Sequence, residues 1–249
     1  MIFRQLFEPL SSTYTYLLGD EDTGQAILID PVIATMDRDL AEVSRLALTL
    51  AYTIDTHIHA DHITAALEMK RAVGSKIAAP ACDRLACADV GLKEGQSFQV
   101  GRITLQPLHT PGHTDGHFAY FLNDRVFTGD ALLIEGCGRT DFQNGDADAL
   151  YKSVREKLFV LPEETLVYPA HDYQERFVSS IAQEKKRNPR LGSDKTLEEF
   201  KVIMANLNLP YPKFIDHAVP GNKRCGVCPP DLPEKLASYC HHMTLSPQG

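Results

Sequence analysis

Three histidines and one aspartate fall within the six residues from His57 to His62, in the segment T-H-I-H-A-D-H. Imidazole and carboxylate groups are the side chains that bind catalytic divalent metals. The segment follows an apolar run, Tyr52 to Asp55, which predicts a buried strand with the cluster on the loop that leaves it. One histidine is often a packed residue of the core, but packing does not require four such ligands together. The cluster therefore predicts a metal site.

Three later segments offer further ligands, each at the end of a predicted strand. His113 lies in H-T-P-G-H-T-D-G-H, where Pro111 and Gly112 indicate a turn, Asp130 ends F-T-G-D, and His171 lies in Y-P-A-H-D-Y. Ligands from four separated segments indicate a site that the fold assembles, rather than a local zinc finger. We expect the flanking residues His109 and His117 to pack or cap the ligand turn rather than bind metal.

Composition narrows the functional classes. A chain of 249 residues can bury one large core, and its net charge of −8 with a pI near 5.7 argues against a nucleic-acid surface. The sequence shows no signal or transit peptide and no apolar stretch of the roughly 18 residues that would cross a bilayer. We expect no nucleic-acid or membrane partner. The expected location is the cytoplasm, or the mitochondrial matrix after removal of a presequence.

Six cysteines are too few and too irregular for a disulfide scaffold, which indicates reduced thiols in a cytosol-like compartment. They are Cys82, Cys87, Cys137, Cys225, Cys228 and Cys240. Cys225 and Cys228 form a single C-x-x-C, which is weak evidence for a zinc or redox site. Cys137 is interpreted as a small buried apolar residue, with shaping of the site or modification by a persulfide as the alternative.

The order of apolar patterns predicts strands followed by helices, and this succession occurs twice along the chain. It favours two αβ halves packed sheet to sheet. The predicted strands are 13–18, 25–29, 52–55, 97–100, 102–108, 117–122, 125–128 and 166–168. The predicted helices are 37–48, 61–73 and 146–158, with mainly helical structure from 176 to 207. The tail from Pro210 is rich in Pro and Gly and predicts irregular structure on the surface.

The H-x-H-x-D-H segment, the G-H-T turn, the T-G-D strand end and the A-H-D segment together resemble the metallo-β-lactamase superfamily. The resemblance implies an α/β fold, a four-layer αβ/βα sandwich, with a short C-terminal helical extension. It also implies a core over 1–175, and helices and a tail over 176–249 that complete the same single domain. A fold does not by itself define a reaction.

A finer resemblance covers the chain from about Phe7 to Val227. It is carried by motifs outside the ligand segments, namely G-C-G-R-T-D-F (136–142), A-H-D-Y (170–173), N-P-R-L (188–191), N-L-N-L-P (206–210) and R-C-G-V (224–227). These motifs are similar to those of the persulfide dioxygenases. Glyoxalase II enzymes share the ligand motifs and a related G-C-G-R, but usually carry a longer helical C-terminal domain.

The resemblance implies one Fe(II) per chain, bound by His57, His113 and Asp130. It implies oxidation of glutathione persulfide by O2 and water to sulfite and glutathione, a reaction of sulfide detoxification and sulfur metabolism. The implied glutathione contacts are Arg190 and Tyr173, with Arg139 near the reacting sulfur, and Arg139 and Tyr173 are the expected catalytic residues. Taken singly, these residues could equally be a surface charge or a packed aromatic.

Four more ligand-type residues keep a second reaction open. They are His59, Asp61, His62 and His171, which either orient the first ligands or bind a second metal beside Asp130. Two metals would favour a glyoxalase II-type hydrolase of glutathione thioesters. A nuclease is disfavoured by the acidic balance, and a protein that binds metal or persulfide without turnover is the fourth class. The sequence leaves the oligomeric state open, a homodimer included.

Overall fold

The N-terminal third of the chain forms a sheet whose central strands are almost wholly buried, as expected for a sheet covered on both faces. The structure is a computed structural model and describes residues 1–174, 176–230 and 232–240. The strands, in their order across the sheet, are β1 (Ile2–Glu8), β2 (Thr13–Gly19), β3 (Gln25–Ile29), β4 (Thr49–Ile54), β5 (Lys76–Pro80) and β6 (Val90–Leu92). Pairing is antiparallel from β1 to β3 and parallel from β3 to β6. Helices α1 (Met36–Arg45) and α2 (Ala66–Val73) lie in two of the crossovers that parallel pairing requires.

The middle of the chain forms a second sheet of six strands. They are β7 (Phe98–Val100), β8 (Ile103–His109), β9 (Phe118–Leu122), β10 (Arg125–Gly129), β11 (Leu166–Pro169) and β12 (Ser179–Ser180), adjacent in this order. β8, β9 and β10 pair antiparallel, whereas β10 and β11 are parallel. The crossover between β10 and β11 contains α3 (Ala147–Ser153), which continues as a π-helical turn over Val154–Leu158. Helices α4 (Ile181–Arg187) and α5 (Leu197–Ala205) follow β12, and α6 (Ile215–Asn222) comes later.

The chain divides into two compact units. The first contains residues 1–92 and 99–104 with the described residues from 211 onward, and the second contains 93–98 and 105–210. α6 belongs to the core of the first unit, where Phe214 and Ala218 pack in one cluster with Leu17 and Met69. The predicted division at 175/176 within one domain is not tested by these units and stays a prediction. Among the described residues, no helix has the length and apolar character needed to cross a membrane.

Most predicted elements are present, and the differences have local causes. The helix predicted from Asp61 begins only at Ala66, because residues 57–65 form an irregular loop, and it ends before Gly74 as expected. Strands β1, β5, β6 and β12 were not predicted. The tail predicted to be irregular from Pro210 contains α6, since the buried residues Phe214, Ile215 and Ala218 outweigh the helix-breaking tendency of Pro220.

The prediction of six reduced cysteines is wrong for four of them. Cys87 and Cys225 form one disulfide, and Cys228 and Cys240 form another. The first pair is 138 residues apart in the sequence, so spacing could not reveal it. The single C-x-x-C therefore does not pair internally. The cysteines give no argument for a reducing compartment.

Asp39 on α1 predicts a pH-dependent loss of stability. Burial raises the pKa of this carboxyl to about 6 against the opposing effect of Arg38, with Glu8 adding to the rise. A carboxyl whose pKa is raised by folding stabilises the protein below its unfolded value of 3.8, and this contribution is lost as the pH rises through about 6. The difference corresponds to about 3 kcal/mol of unfolding free energy.

We expect Asp39→Asn to remove this dependence. Urea unfolding at pH 4 and pH 7 should show the wild type losing about 2 kcal/mol relative to the variant over that interval. Asp37→Asn, on the exposed side of the same helix turn, is the matched control and should follow the wild type. An Asp39→Asn effect of equal size at both pH values would contradict the assignment.

Candidate metal centre

The histidine loop of the first unit starts at the end of β4, beside the end of its parallel neighbour β3. Asp30 follows β3, and its buried carboxylate organises the loop. Oδ1 accepts hydrogen bonds from the Thr56 amide (2.7 Å) and pairs with His59 Nε2 (3.0 Å), while Oδ2 accepts from the Thr56 hydroxyl (3.0 Å). Sequence reasoning missed Asp30. The feature that could have identified Asp30 is its position directly after β3, which pairs parallel with β4, the strand that precedes the histidine cluster.

The hydrogen bonds around Thr56 determine which nitrogen His57 presents. The Thr56 hydroxyl donates its proton to Asp30, so at 2.9 Å it accepts a hydrogen bond from His57 Nδ1. The Nε2 atom of His57 then carries the lone pair. A metal-binding histidine is usually oriented in this way through its other ring nitrogen.

His59, Asp61 and His62 form a second group of ligand-type atoms in this unit, all within 4.8 Å of one another. Asp61 Oδ2 lies 3.0 Å from His62 Nδ1, and the Thr13 hydroxyl lies 3.3 Å from both atoms. Burial opposes protonation of His59, but Asp30 and the neighbouring carboxylates outweigh it and raise the pKa of His59 to about 9. The Nδ1 atom of His59 is buried with no hydrogen-bond partner among the described residues.

In the second unit, His113 and Asp130 face each other from two strand ends. His113 Nε2 lies 3.5 Å from Asp130 Oδ2, and His113 Nδ1 donates to the carbonyl of Arg139 at 2.7 Å. The Asp130 amide donates to His117 Nε2 at 3.0 Å, and His117 Nδ1 lies 2.8 Å from the hydroxyl of Thr110. The expectation that His117 supports the turn is confirmed by these contacts.

The spacing of these atoms fits a shared cation. Two ligands about 2.1 Å from one ion lie about 3.0 to 3.4 Å apart. The separation of His113 Nε2 and Asp130 Oδ2, 3.5 Å, is close to this range, whereas His171 Nε2 lies 3.7 Å from the other carboxylate oxygen, Asp130 Oδ1. Asp130 Oδ1 is also buried without a hydrogen-bond partner among the described residues. Nitrogen and carboxylate donors of this kind suit a divalent transition metal.

The G-C-G-R and N-P-R-L motifs contact each other and the backbone next to Asp130. Gly138 donates its amide to the Asp130 carbonyl at 2.7 Å, and a Cβ at this position would lie 2.7 Å from that same oxygen and from His113 Nδ1. Asn188 donates to the Gly136 carbonyl at 3.0 Å, and Arg190 Nη1 donates to the Cys137 carbonyl at 2.8 Å. The two motifs therefore form one scaffold around His113 and Asp130.

The predicted substrate residues differ in how many contacts their side chains make with other groups of the protein. Arg139 forms a bidentate pair with Asp141 at 2.6 and 2.7 Å and donates to the Pro210 carbonyl at 2.8 Å. Tyr173 is exposed, and its ring stacks parallel to that of His171 at 6.0 Å. Arg190 is half-buried beside Cys137. The substrate roles of these three residues stay predictions.

Cys137 behaves as a buried apolar residue, which agrees with the interpretation from the sequence. Burial raises the pKa of its thiol to about 11, against the opposing effect of Arg190. A thiol with such a pKa is almost fully protonated at neutral pH and is a poor nucleophile.

Comparison with known proteins identifies the class. The sequence model described as the metallo-beta-lactamase superfamily matches residues 9–171, so this chain belongs to the metallo-β-lactamase superfamily. The predicted fold class is thereby confirmed. The matched range includes the histidine loop, the His113 turn, Asp130 and His171.

Within the superfamily, the chain is similar to proteins named "Persulfide dioxygenase ETHE1, mitochondrial". The Homo sapiens protein is 48% identical over 238 residues, which cover 92% of this chain and 91% of that protein, and the Mus musculus protein is 49% identical over the same shares. The crystal structure of ETHE1 from Myxococcus xanthus has a TM-score of 0.89 at 56% identity, covering 91% of this chain and all of that one. A hydroxyacylglutathione hydrolase of Methylococcus capsulatus is 36% identical over 179 residues, or 69% of this chain and 68% of that protein.

Proposed function

We propose that this chain is a persulfide dioxygenase that oxidises glutathione persulfide with one Fe(II) per chain. The observation that carries the proposal is near 50% identity, over more than nine-tenths of both chains, to proteins named for this activity. This similarity confirms the predicted enzyme class, a persulfide dioxygenase. The donor chemistry of the two histidines and the aspartate supports iron as the metal, and glutathione as the carrier rests on the motif resemblance.

The proposed ligands are His57, His113 and Asp130. The Thr56 hydroxyl and the Arg139 carbonyl each accept a hydrogen bond from an imidazole Nδ1 atom, so both imidazoles present Nε2. These three side chains would hold the ferrous ion, which would supply the redox chemistry for the reaction between the persulfide sulfur and O2. Glutathione persulfide, O2 and water would give glutathione and sulfurous acid, which ionises to sulfite, so that sulfur is oxidised and O2 reduced.

Arg190 is proposed to bind a carboxylate of glutathione. Its Nη1 atom holds the Cys137 carbonyl, and its half-buried guanidinium has further donors suited to a carboxylate. We expect Arg190→Ala to raise the KM for glutathione persulfide about tenfold with a smaller change in kcat. The reason is that a carboxylate far from the reacting sulfur is bound equally in the substrate complex and in the transition state.

Steady-state O2 uptake at varied persulfide concentration measures this effect. Arg187→Ala, in the exposed last turn of α4, removes the same charge three residues away and should leave KM unchanged. Unchanged kinetics in Arg190→Ala would remove this residue from the substrate site.

A two-metal thioester hydrolase is the second candidate. The grouping of His59, Asp61 and His62 favours it, since these atoms could hold another ion. The similarity to the hydroxyacylglutathione hydrolase also supports it, although that match covers a smaller part of both chains.

One experiment separates the two candidates. Protein reconstituted with Fe(II) is given freshly prepared glutathione persulfide, with O2 uptake, sulfite and bound iron measured together. The dioxygenase predicts one O2 consumed per sulfite formed and one iron per chain. Absence of uptake, with hydrolysis of S-lactoylglutathione by protein holding two metals, would replace it with the hydrolase. The location in cytoplasm or matrix and the homodimer stay predictions.

A further inference from the structure

The side chain of Asn222, at the end of α6, is inserted against the histidine loop. Its Nδ2 atom donates to two backbone carbonyls of the loop, those of His59 at 2.9 Å and His62 at 2.8 Å. Its Oδ1 atom accepts from the amide of Thr64 at 3.0 Å. One buried amide thus bonds three backbone groups within six residues of the loop. Leaving such groups unpaired in a buried position is costly.

The backbone around Asn222 contacts the same loop and the helix that follows it. The Cys225 carbonyl accepts from the amide of Leu67 at 3.0 Å, in the first turn of α2. Gly226 has a φ of +99°, and a Cβ there would lie 2.0 Å from the carbonyl oxygen of Thr64. We call the segment Gly221–Gly226 the brace.

The brace is itself anchored within the first unit. Phe214, directly before α6, and Ala218 within it are buried in the core of that unit, and Cys225 is disulfide-bonded to Cys87. The brace therefore presents Asn222 from a fixed position. The loop is held from its start by the Asp30 carboxylate, at Thr56 and His59, and further along by Asn222.

From this arrangement we infer that Asn222 is a positioning residue for the metal centre. It fixes the backbone that follows His57 and thereby holds the His57 imidazole in place for metal binding. The inference rests on the proposed function, because it takes His57 as a ligand. The residues that orient ligands commonly change metal affinity or activity by about 10- to 100-fold when they are replaced.

The test uses the full chain and Co(II) as the probe. Co(II) affinity is measured by chelator competition, the absorption spectrum of bound Co(II) reports ligand geometry, and the Tm of the metal-free protein reports folding. Asn222→Ala is expected to weaken Co(II) binding about 10- to 100-fold, to alter the Co(II) spectrum and to lower kcat of the Fe(II) enzyme more than it raises KM. A role confined to stability would lower the Tm but leave affinity and spectrum unchanged.

Two further variants keep the test decisive. Asn222→Asp preserves the size and the acceptor for Thr64 but cannot donate to the two carbonyls, so it serves if the alanine variant does not fold. Asn206→Ala removes a helix-end amide that donates to the Val202 carbonyl at 2.7 Å, and should match the wild type in Co(II) affinity.

The outcomes also separate this inference from the proposed function. Wild-type Co(II) affinity and spectrum in a folded Asn222 variant, beside an active wild type, would overturn the inference alone. A wild type that binds no Co(II) and consumes no O2 with Fe(II) would overturn the proposed function, and the inference with it.

Discussion

His113→Ala is expected to abolish O2 uptake and to lower bound iron well below one per chain. The imidazole of His113 is fixed by the Arg139 carbonyl and faces Asp130 at 3.5 Å, so its removal deletes one of the three proposed ligands. Since replacing the partners of ligands alone costs about 10- to 100-fold, loss of a ligand should cost more than 100-fold in kcat/KM. Oxygen-electrode rates and a colorimetric iron assay on the same samples measure both effects.

His109→Ala supplies the control for this prediction. It removes an imidazole from the same turn, where Nε2 contacts the Asp115 carbonyl at 3.1 Å and the ring packs on Phe118. We expect its iron content to equal that of the wild type. Retention of full iron and turnover by His113→Ala would exclude His113 as a ligand.

Gly138→Ala is expected to impair the metal centre through a single methyl group. The new Cβ would lie 2.7 Å from both the Asp130 carbonyl oxygen and His113 Nδ1, closer than a carbon can approach either atom. To relieve this contact, the backbone at Asp130 or the His113 ring must move, and small displacements of ligands are costly to catalysis. A loss of about 10- to 100-fold in kcat/KM is expected, with weaker iron binding.

Gly136→Ala is a closely matched comparison, two residues earlier in the same motif. Its Cβ would meet its nearest neighbour, the Cβ of Leu133, at 3.8 Å, which is an ordinary contact. This variant should keep wild-type kcat/KM and iron content. Equal activities of the two alanine variants would show that the backbone around Gly138 yields without disturbing the ligands.

The sequence predicted the parts of the site that depend on local pattern. Ligand-type residues at strand ends, such as His57 and Asp130, could be recognised because strands have a short, visible periodicity and their ends are marked by Gly or by polar residues. The resemblance then supplied the choice among ligands, which spacing alone could not make. The start of α2 was misplaced because polar residues such as Asp61 and His62 fit a helical pattern, whereas their hydrogen bonds hold an irregular loop.

The supporting residues could not be predicted, because their partners are distant in the sequence. Asn222 bonds carbonyls 160 and 163 residues away, and carbonyls carry no sequence signal. The Cys87–Cys225 disulfide spans 138 residues in the same way. Arg139 was expected near the reacting sulfur, and its bidentate pair with Asp141 became visible only in three dimensions.

The first unit is discontinuous along the chain, and this has a consequence for synthesis on the ribosome. Its sheet is translated within the first 92 residues, but Phe214, Asn222 and Cys225 emerge more than a hundred residues later. Nearly all of the second unit, residues 105–210, leaves the ribosome in between. Domains usually fold in the order in which they emerge. The histidine loop therefore lacks its contacts with Asn222 until residue 222 has emerged, and a nascent chain that met a metal ion earlier would meet it before the proposed ligand His57 is held in place.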